Sequence, residues 1–145
     1  MSKIQAIAIK NRSRVPMQSI ESASITVANG ILGDFRGTQL NRQITILSQD
    51  TWQKVCAELD TDLPWTTRRA NILVDGIEFS ADFVGKTVRI GAVELVVTVE
   101  TAPCSQMDAQ HQGLTAALTP NWRGGICCNV VKGGEIKIGD HVEFA

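Results

Sequence analysis

The alternation of apolar and polar side chains predicts mostly short strands. Ala23, Ile25 and Val27 alternate with Ser22, Ser24 and Thr26, the two-residue period of a half-buried strand, and Asn29-Gly30 follows as a turn. Gln43 to Leu47 forms a second strand, with Ile44 and Ile46 on one face. Lys86–Ile90 and Val93–Glu100 flank Gly91-Ala92 and predict a hairpin. In its second arm Val93, Leu95, Val97 and Val99 face one way, while Glu94, Thr98 and Glu100 face the other, with Val96 breaking the pattern. Ile126–Val131, Glu135–Ile138 and His141–Phe144 are separated by Gly133-Gly134 and Gly139-Asp140, and Ile4–Ile9 is a further candidate strand. Many short strands joined at glycine turns point to a mainly β, barrel-like or sandwich architecture.

Helical periodicity appears in two places. After Ser48, an N-cap residue, Trp52, Val55, Cys56 and Leu59 recur at helical spacing, and Leu47 with Trp52 fits a hydrophobic staple. A weaker helical stretch runs from Ser105 to Leu118 and is interrupted at Gly113. No repeat, linker or low-complexity run divides the 145 residues, which the pattern assigns to one domain, 1–145.

Composition narrows the function classes. Hydrophobic residues make up 43% of the chain and charged residues 20%, with a net charge of −1 and no basic block. That disfavours a nucleic-acid partner, which needs an extended basic face, but leaves room for a small basic pocket. The N-terminal residues lack a signal-peptide pattern and no apolar run is long enough to span a bilayer, so no membrane association is expected. Four cysteines without framework spacing predict free thiols and a cytoplasmic location.

Among those thiols Cys104 stands apart. Pro103 ends the strongest strand pattern, and the thiol is the next side chain, at a strand end where it can reach a ligand as nucleophile or soft metal ligand. Cys56 falls on the apolar helix face. Cys127 and Cys128 are strand neighbours that face opposite sides, so they do not jointly hold one metal. Arg68 and Arg69 precede the apolar run Ile72-Leu73-Val74. Read as strand they point to opposite faces, with Arg69 and Asn71 sharing one, a guanidinium and an amide suited to a phosphate or carboxylate. Arg123 beside Gly124-Gly125 offers charge and close backbone approach to an anion, although glycines in such loops more often serve the turn itself. His111 and His141 lack partners at metal-site spacing, and Asp34 after Gly33 reads as a turn residue.

Taken in order, Gly33-Asp34, Arg42-Gln43-Ile44-Thr45, Arg68-Arg69-Ala70-Asn71, Gly85–Gly91, Pro103-Cys104, Gly124-Gly125 and Gly133–Asp140 resemble the MOSC domain, the C-terminal domain of molybdenum-cofactor sulfurases that also occurs as small free-standing proteins. Each motif is short, but their order over the stretch from Gly30 to the end is specific. The resemblance implies a mainly β, barrel-like MOSC fold with two or three short helices. It implies binding of the molybdenum cofactor (molybdopterin), readily lost on purification, with Cys104 as sulfur carrier or molybdenum ligand and Arg69 and Asn71 at the cofactor. Arg68, Arg123 and Gly124 are expected as secondary contacts. The family has a basic or histidine residue soon after Gly-Asp, a role that Arg36 fills one place displaced. A pyridoxal-phosphate desulfurase domain has no room in this chain, so no pyridoxal phosphate is expected, and a separate cysteine desulfurase or electron-transfer protein is the implied partner. Three functions remain open: a sulfur-carrying or metal-binding MOSC protein, a molybdenum-dependent reductase of N-hydroxylated compounds, and a non-catalytic barrel-shaped binding module.

Overall fold

The computed structural model describes residues Ser2–Ala145. Eleven strands, in chain order, are β1 (Ser2–Ile9), β2 (Gln18–Ile20), β3 (Ser22–Thr26), β4 (Gly30–Ile31), β5 (Ile44–Ser48), β6 (Ile72–Val74), β7 (Thr87–Ile90), β8 (Val93–Glu100), β9 (Ile126–Lys132), β10 (Gly134–Lys137) and β11 (His141–Phe144). The helices are α1 (Gln49–Glu58), α2 (Gln106–Gln110) and α3 (Leu114–Leu118), joined by single 3-10 turns at Trp65–Arg68, Ala81–Phe83 and Pro120–Trp122.

The large sheet runs β11-β7-β8-β9-β5-β6-β1-β2, and a β11–β1 pairing closes its first seven strands into a barrel. Closure removes the exposed sheet edges that would otherwise invite pairing with another chain. A second sheet, β10-β3-β4, packs against it. β5 and β6 are the parallel pair, and parallel neighbours need a long crossover. The crossover here contains α1, whose buried side is Thr51, Trp52, Val55 and Cys56. Ser48 caps it as the pattern predicts, accepting from the Thr51 N–H at 3.1 Å.

Two apolar clusters share the sheet. Inside the barrel lie Ile4, Ile7, Ile44, Ile46, Ile72, Val88, Leu95, Val97, Ile126 and Cys128. Outside, under the helices, Leu47, Trp52, Val55, Cys56, Leu73, Met107, Leu114 and Leu118 form the second. β5 is therefore buried on both faces, where alternation predicts one. Thr45 and Leu47 meet helices and turns instead of water. Burying Trp52 alone is worth on the order of 2–3 kcal/mol.

Three local departures from the strand pattern shape the site. Val27 lies outside β3 and is exposed. The β8–β9 register shifts between Val97 and Val99, a bulge that turns Val99 out to 39% exposure and ends the inward alternation. The helical stretch after Cys104 breaks at Gly113, whose φ of 89° suits glycine, into two five-residue helices. No helix among the described residues is long and apolar enough to cross a membrane.

Candidate functional site

The bulged end of β8 leads through Thr101, Ala102 and Pro103 to Cys104, whose side of the barrel is built from three loops. The 3-10 turn Trp65–Arg68 enters β6, the β4–β5 connection carries Asp34, Arg36 and Arg42, and the segment after β8 carries Cys104 itself. Together Arg36, Arg42, Thr45, Arg68, Arg69, Thr101, Ala102, Cys104, Gln106 and Met107 line a cavity of about 210 Å³. Cys104 is exposed, whereas Cys56, Cys127 and Cys128 are buried. Four guanidiniums and no carboxylate line this one cavity, in a chain of net charge −1.

Local geometry decides how the two adjacent arginines share it. Strand reading places Arg68 and Arg69 on opposite faces, but the strand begins only at Ile72. Arg68 ends the 3-10 turn and Arg69 follows in the left-handed region, at φ 64° and ψ 27°, so both reach the same cavity. A non-glycine residue there costs about 1 kcal/mol or more. Arg68 is 7% exposed. Its Nε donates to the Gly124 carbonyl at 3.2 Å and its Nη2 to the Thr101 carbonyl. Burial lowers its pKa, while the sulfurs of Cys127 and Cys104 act in the opposite direction. Gly124 is part of this seat, since a Cβ there would overlap the Thr101 carbonyl and crowd Arg68 Nη2. The glycine thus shapes the floor and does not line the cavity.

Asn71 takes a different place from the one its sequence position predicts. It is 5% exposed and does not line the cavity. Its Oδ1 accepts from the Thr45 N–H at 3.0 Å and the Thr45 hydroxyl at 3.2 Å, and its Nδ2 donates to the Ala8 carbonyl at 3.2 Å. Its own N–H donates to Thr45 Oγ1 at 3.0 Å. The side chain ties β1, β5 and the entry to β6 together beneath the arginines. Arg123 also lies elsewhere: it pairs with Glu58 at 2.8 Å and donates to the Ala117 carbonyl, lining a separate cavity with Thr51, Lys54, Glu78, Phe79 and Asn121. Its charge is already used by that pair.

Several contributors were not singled out from sequence. Arg42 and Thr45 lie within the quoted Arg42–Thr45 motif. Asp34 is more than a turn residue: its Oδ1 accepts from the Lys10 N–H at 3.1 Å. Burial holds its carboxyl above the usual carboxylate range, against hydrogen bonds from the Lys10 and Arg36 backbone and the Asn71 amide. Lys10 is 4% exposed, and burial followed by the nearby Arg69 and Arg36 guanidiniums pushes its amine down. The Phe35 ring lies between two cations, with Lys10 Nζ at 5.1 Å and Arg36 Cζ at 5.2 Å from its centroid. An exposed-looking Gly-Asp-Phe-Arg motif thus becomes a cationic wall only after β1 brings Lys10 beside it.

Cys127 and Cys128 face opposite sides as expected. Cys128 sits in the barrel core, where burial drives its thiol far upward, and Cys127 packs outward with its sulfur 3.1 Å from Thr101 Oγ1. Among the described residues no three His, Cys, Asp or Glu side chains converge as a metal cage. A metal in this cavity would have to bring its own other ligands, which suits a metal already held by an anionic organic cofactor and one protein thiolate.

Arg42 has an anchor of its own. Preceding it, Asn41 adopts φ 67° and is clamped from two strands. Its N–H donates to Asn129 Oδ1 at 2.7 Å, its Oδ1 accepts from Asn129 Nδ2 at 3.2 Å, and its carbonyl accepts from the Thr98 hydroxyl at 2.6 Å. Asn129→Ala is expected to cost about 1–2 kcal/mol of stability, because the Asn41 turn ahead of Arg42 loses its two hydrogen bonds to the Asn129 amide. Thermal melts check this, and an unchanged melting temperature would show that the clamp does not hold the turn.

A model of the MOSC domain matches residues 29–143. No curated protein matches the chain. Among solved structures, the YuaD protein of Bacillus subtilis superposes with a TM-score of 0.81 at 18% identity, covering 98% of this chain and 94% of that one. YiiM of Geobacillus stearothermophilus gives 0.79 at 14% identity, over 100% of this chain and 75% of that one. YiiM of Escherichia coli gives 0.75 at 13%, over 99% and 69% respectively. At these identities the likeness concerns the fold, and the family rests on the match across 115 of the 145 positions, residues 29–143: the chain belongs to the MOSC domain family.

Proposed function

We propose that this protein binds an anionic metal–sulfur cofactor of the molybdopterin class in the arginine-lined cavity, with Cys104 as the sulfur that carries a persulfide or ligates the metal. One observation carries the reading: an exposed thiol opens onto about 210 Å³ lined by four arginines and no acid. The MOSC family's association with the molybdenum cofactor agrees with it. Guanidiniums grip phosphate oxygens with two parallel donors, and four around one cavity favour a multiply charged ligand over a neutral one. The cofactor, when bound, supplies the redox or sulfur-accepting chemistry, and the protein supplies position and charge. Arg36, Arg42, Arg68 and Arg69 hold the anionic end, while the Gly124 and Thr101 carbonyls fix Arg68, Asp34 accepts from the Arg36 backbone, and Asn71 ties the strands beneath them.

In the sulfur-carrying role, the Cys104 thiolate attacks the terminal sulfur of a donor protein's persulfide. A sulfur–sulfur bond forms at Cys104, the donor's sulfur–sulfur bond breaks, and the donor cysteine leaves as thiolate. No external oxidant enters, because the donor persulfide already holds sulfur at the required oxidation level. The donor is a separate protein of the cysteine desulfurase class.

The test is a mass spectrum of protein purified anaerobically after co-expression with a cysteine desulfurase and growth with molybdate. Gain of one sulfur mapped to Cys104 supports carriage, and a molybdenum-bearing pterin adduct supports ligation and the reductase function. Neither modification, with the fold intact, sinks the reading in favour of a non-catalytic binding module.

A further inference from the structure

Arg69 lines a second cavity as well as the first. On its far side Val15, Pro16, Met17, Thr66, Thr67 and Gln110 enclose about 260 Å³. The two spaces share more than this one side chain. The 3-10 turn that contributes Arg68 to the first contributes Thr66 and Thr67 to the second. α2 contributes Gln106 to the first and Gln110, one helical turn on, to the second. The two cavities thus meet at Arg69, the first bordered by the start of α2 and the second by its end.

Their chemistries differ. The first half is cationic. The second has no charged lining residue other than Arg69: three apolar side chains from the β1–β2 connection, two threonines and one amide. Size points the same way. Small-molecule sites commonly occupy roughly 300–1,000 Å³. Each half falls short of that range, and the two together enter it. A ligand filled only with charge would leave the second half unused, and a neutral one would leave four guanidiniums facing each other without counter-charge.

We propose that the second half is a specificity subsite that takes the uncharged heterocyclic body of the same ligand whose anionic head sits beside Cys104. This rests on the functional reading above and adds where the organic part lies and what selects it. Val15, Pro16 and Met17 supply apolar contact to the ring, Met17 through an adaptable thioether. The Gln110 amide, with both donor and acceptor, and the Thr66 and Thr67 hydroxyls address polar ring edges. Arg69 serves both halves, since a planar guanidinium binds an oxyanion at its edge and stacks on a ring with its face. The left-handed backbone at Arg69 is what brings the side chain to the junction, instead of sending it along the strand.

A matched pair of probes separates head from body: inorganic pyrophosphate, and the same diphosphate esterified to 6-hydroxymethylpterin. Calorimetric titration of the wild-type chain is expected to show the pterin diphosphate bound at least about tenfold more tightly, a difference of roughly 1.4 kcal/mol. Met17→Ala and Gln110→Ala should each remove most of that advantage and leave pyrophosphate affinity within about twofold. Gln110 is exposed, so its variant keeps the test informative even if the Met17 variant misfolds. If pyrophosphate binds and the pterin adds nothing, or if both variants weaken the two probes equally, the subsite is overturned while the arginine cleft stands. If neither probe binds the wild-type chain, the cleft reading fails and the subsite falls with it.

Discussion

Cys104→Ser is expected to abolish sulfur uptake completely and to leave the fold untouched. The physical basis is the unequal exposure of the four thiols. Cys104 is exposed, while Cys56, Cys127 and Cys128 lie at 7%, 1% and 0%. A persulfide donor has to bring its own sulfur into line with the attacking thiolate, and only one thiolate in this chain can be reached without opening the core. The Cys128 thiol is further disabled, since burial drives its pKa far above the ordinary cysteine value. Replacing an exposed side chain by a close isostere changes stability by no more than about 0.5 kcal/mol. Iodoacetamide treatment of the native protein should therefore add one label to the wild type and none to Cys104→Ser, and a desulfurase-loaded sample should gain one sulfur in the first and none in the second. Sulfur found on Cys127 in the variant would mean that the Thr101–Cys127 contact opens readily, and that the reactive thiol was misassigned.

Asn71→Leu is expected to produce the largest loss of stability among single changes near the site, about 3–5 kcal/mol. The leucine is close in size but makes none of the three side-chain hydrogen bonds. It strands the Thr45 N–H and the Ala8 carbonyl, each a buried group whose unmet hydrogen bond costs about 1–3 kcal/mol. The Asp34 carboxyl, already held high by burial, loses a donor as well. In a domain of this size that loss lowers the melting temperature by roughly 10–15 °C. Ligand binding should fall in proportion to the unfolded fraction and recover at low temperature, where the variant folds. A stable Asn71→Leu protein that has lost pyrophosphate binding would instead make Asn71 a direct ligand contact. Asn71→Asp keeps the acceptor to the Thr45 N–H but replaces the donor to Ala8 by a second carboxylate beside Asp34, and is expected to be nearly as damaging.

The two variants separate positions that a linear reading places together. Arg69 and Asn71, two apart, form an anion-binding pair only if the chain is extended through both. Here the extended conformation starts at Ile72. The 3-10 turn and the left-handed Arg69 send both guanidiniums to the cavity and the amide into the wall between strands. The expectation for Arg123 changes for a similar reason. Nothing local marks Glu58, sixty-five residues earlier, as its partner, yet α1 brings that carboxylate within 2.8 Å. Once paired, the arginine has no charge to spare for the Cys104 cavity.

What the linear pattern determined on its own is the class of fold, the position of most strands, the first helix with its Ser48 cap, and the one thiol outside any packed pattern. Those properties are local. Two-residue and 3.6-residue periods, turn glycines and a proline ahead of Cys104 depend on neighbours within a few positions, and such neighbours stay neighbours in any compact state. Only the closed barrel decided which cations converge. Lys10, the Arg36 and Arg42 of the β4–β5 connection, and the Arg68-Arg69 pair come from three separate segments, and pairing among β1, β5 and β6 brings these segments to one end of the barrel. Like charges do not collect by their own attraction, so no sequence pattern announces such a cluster. It exists because backbone hydrogen bonding and apolar burial elsewhere in the barrel outweigh the repulsion.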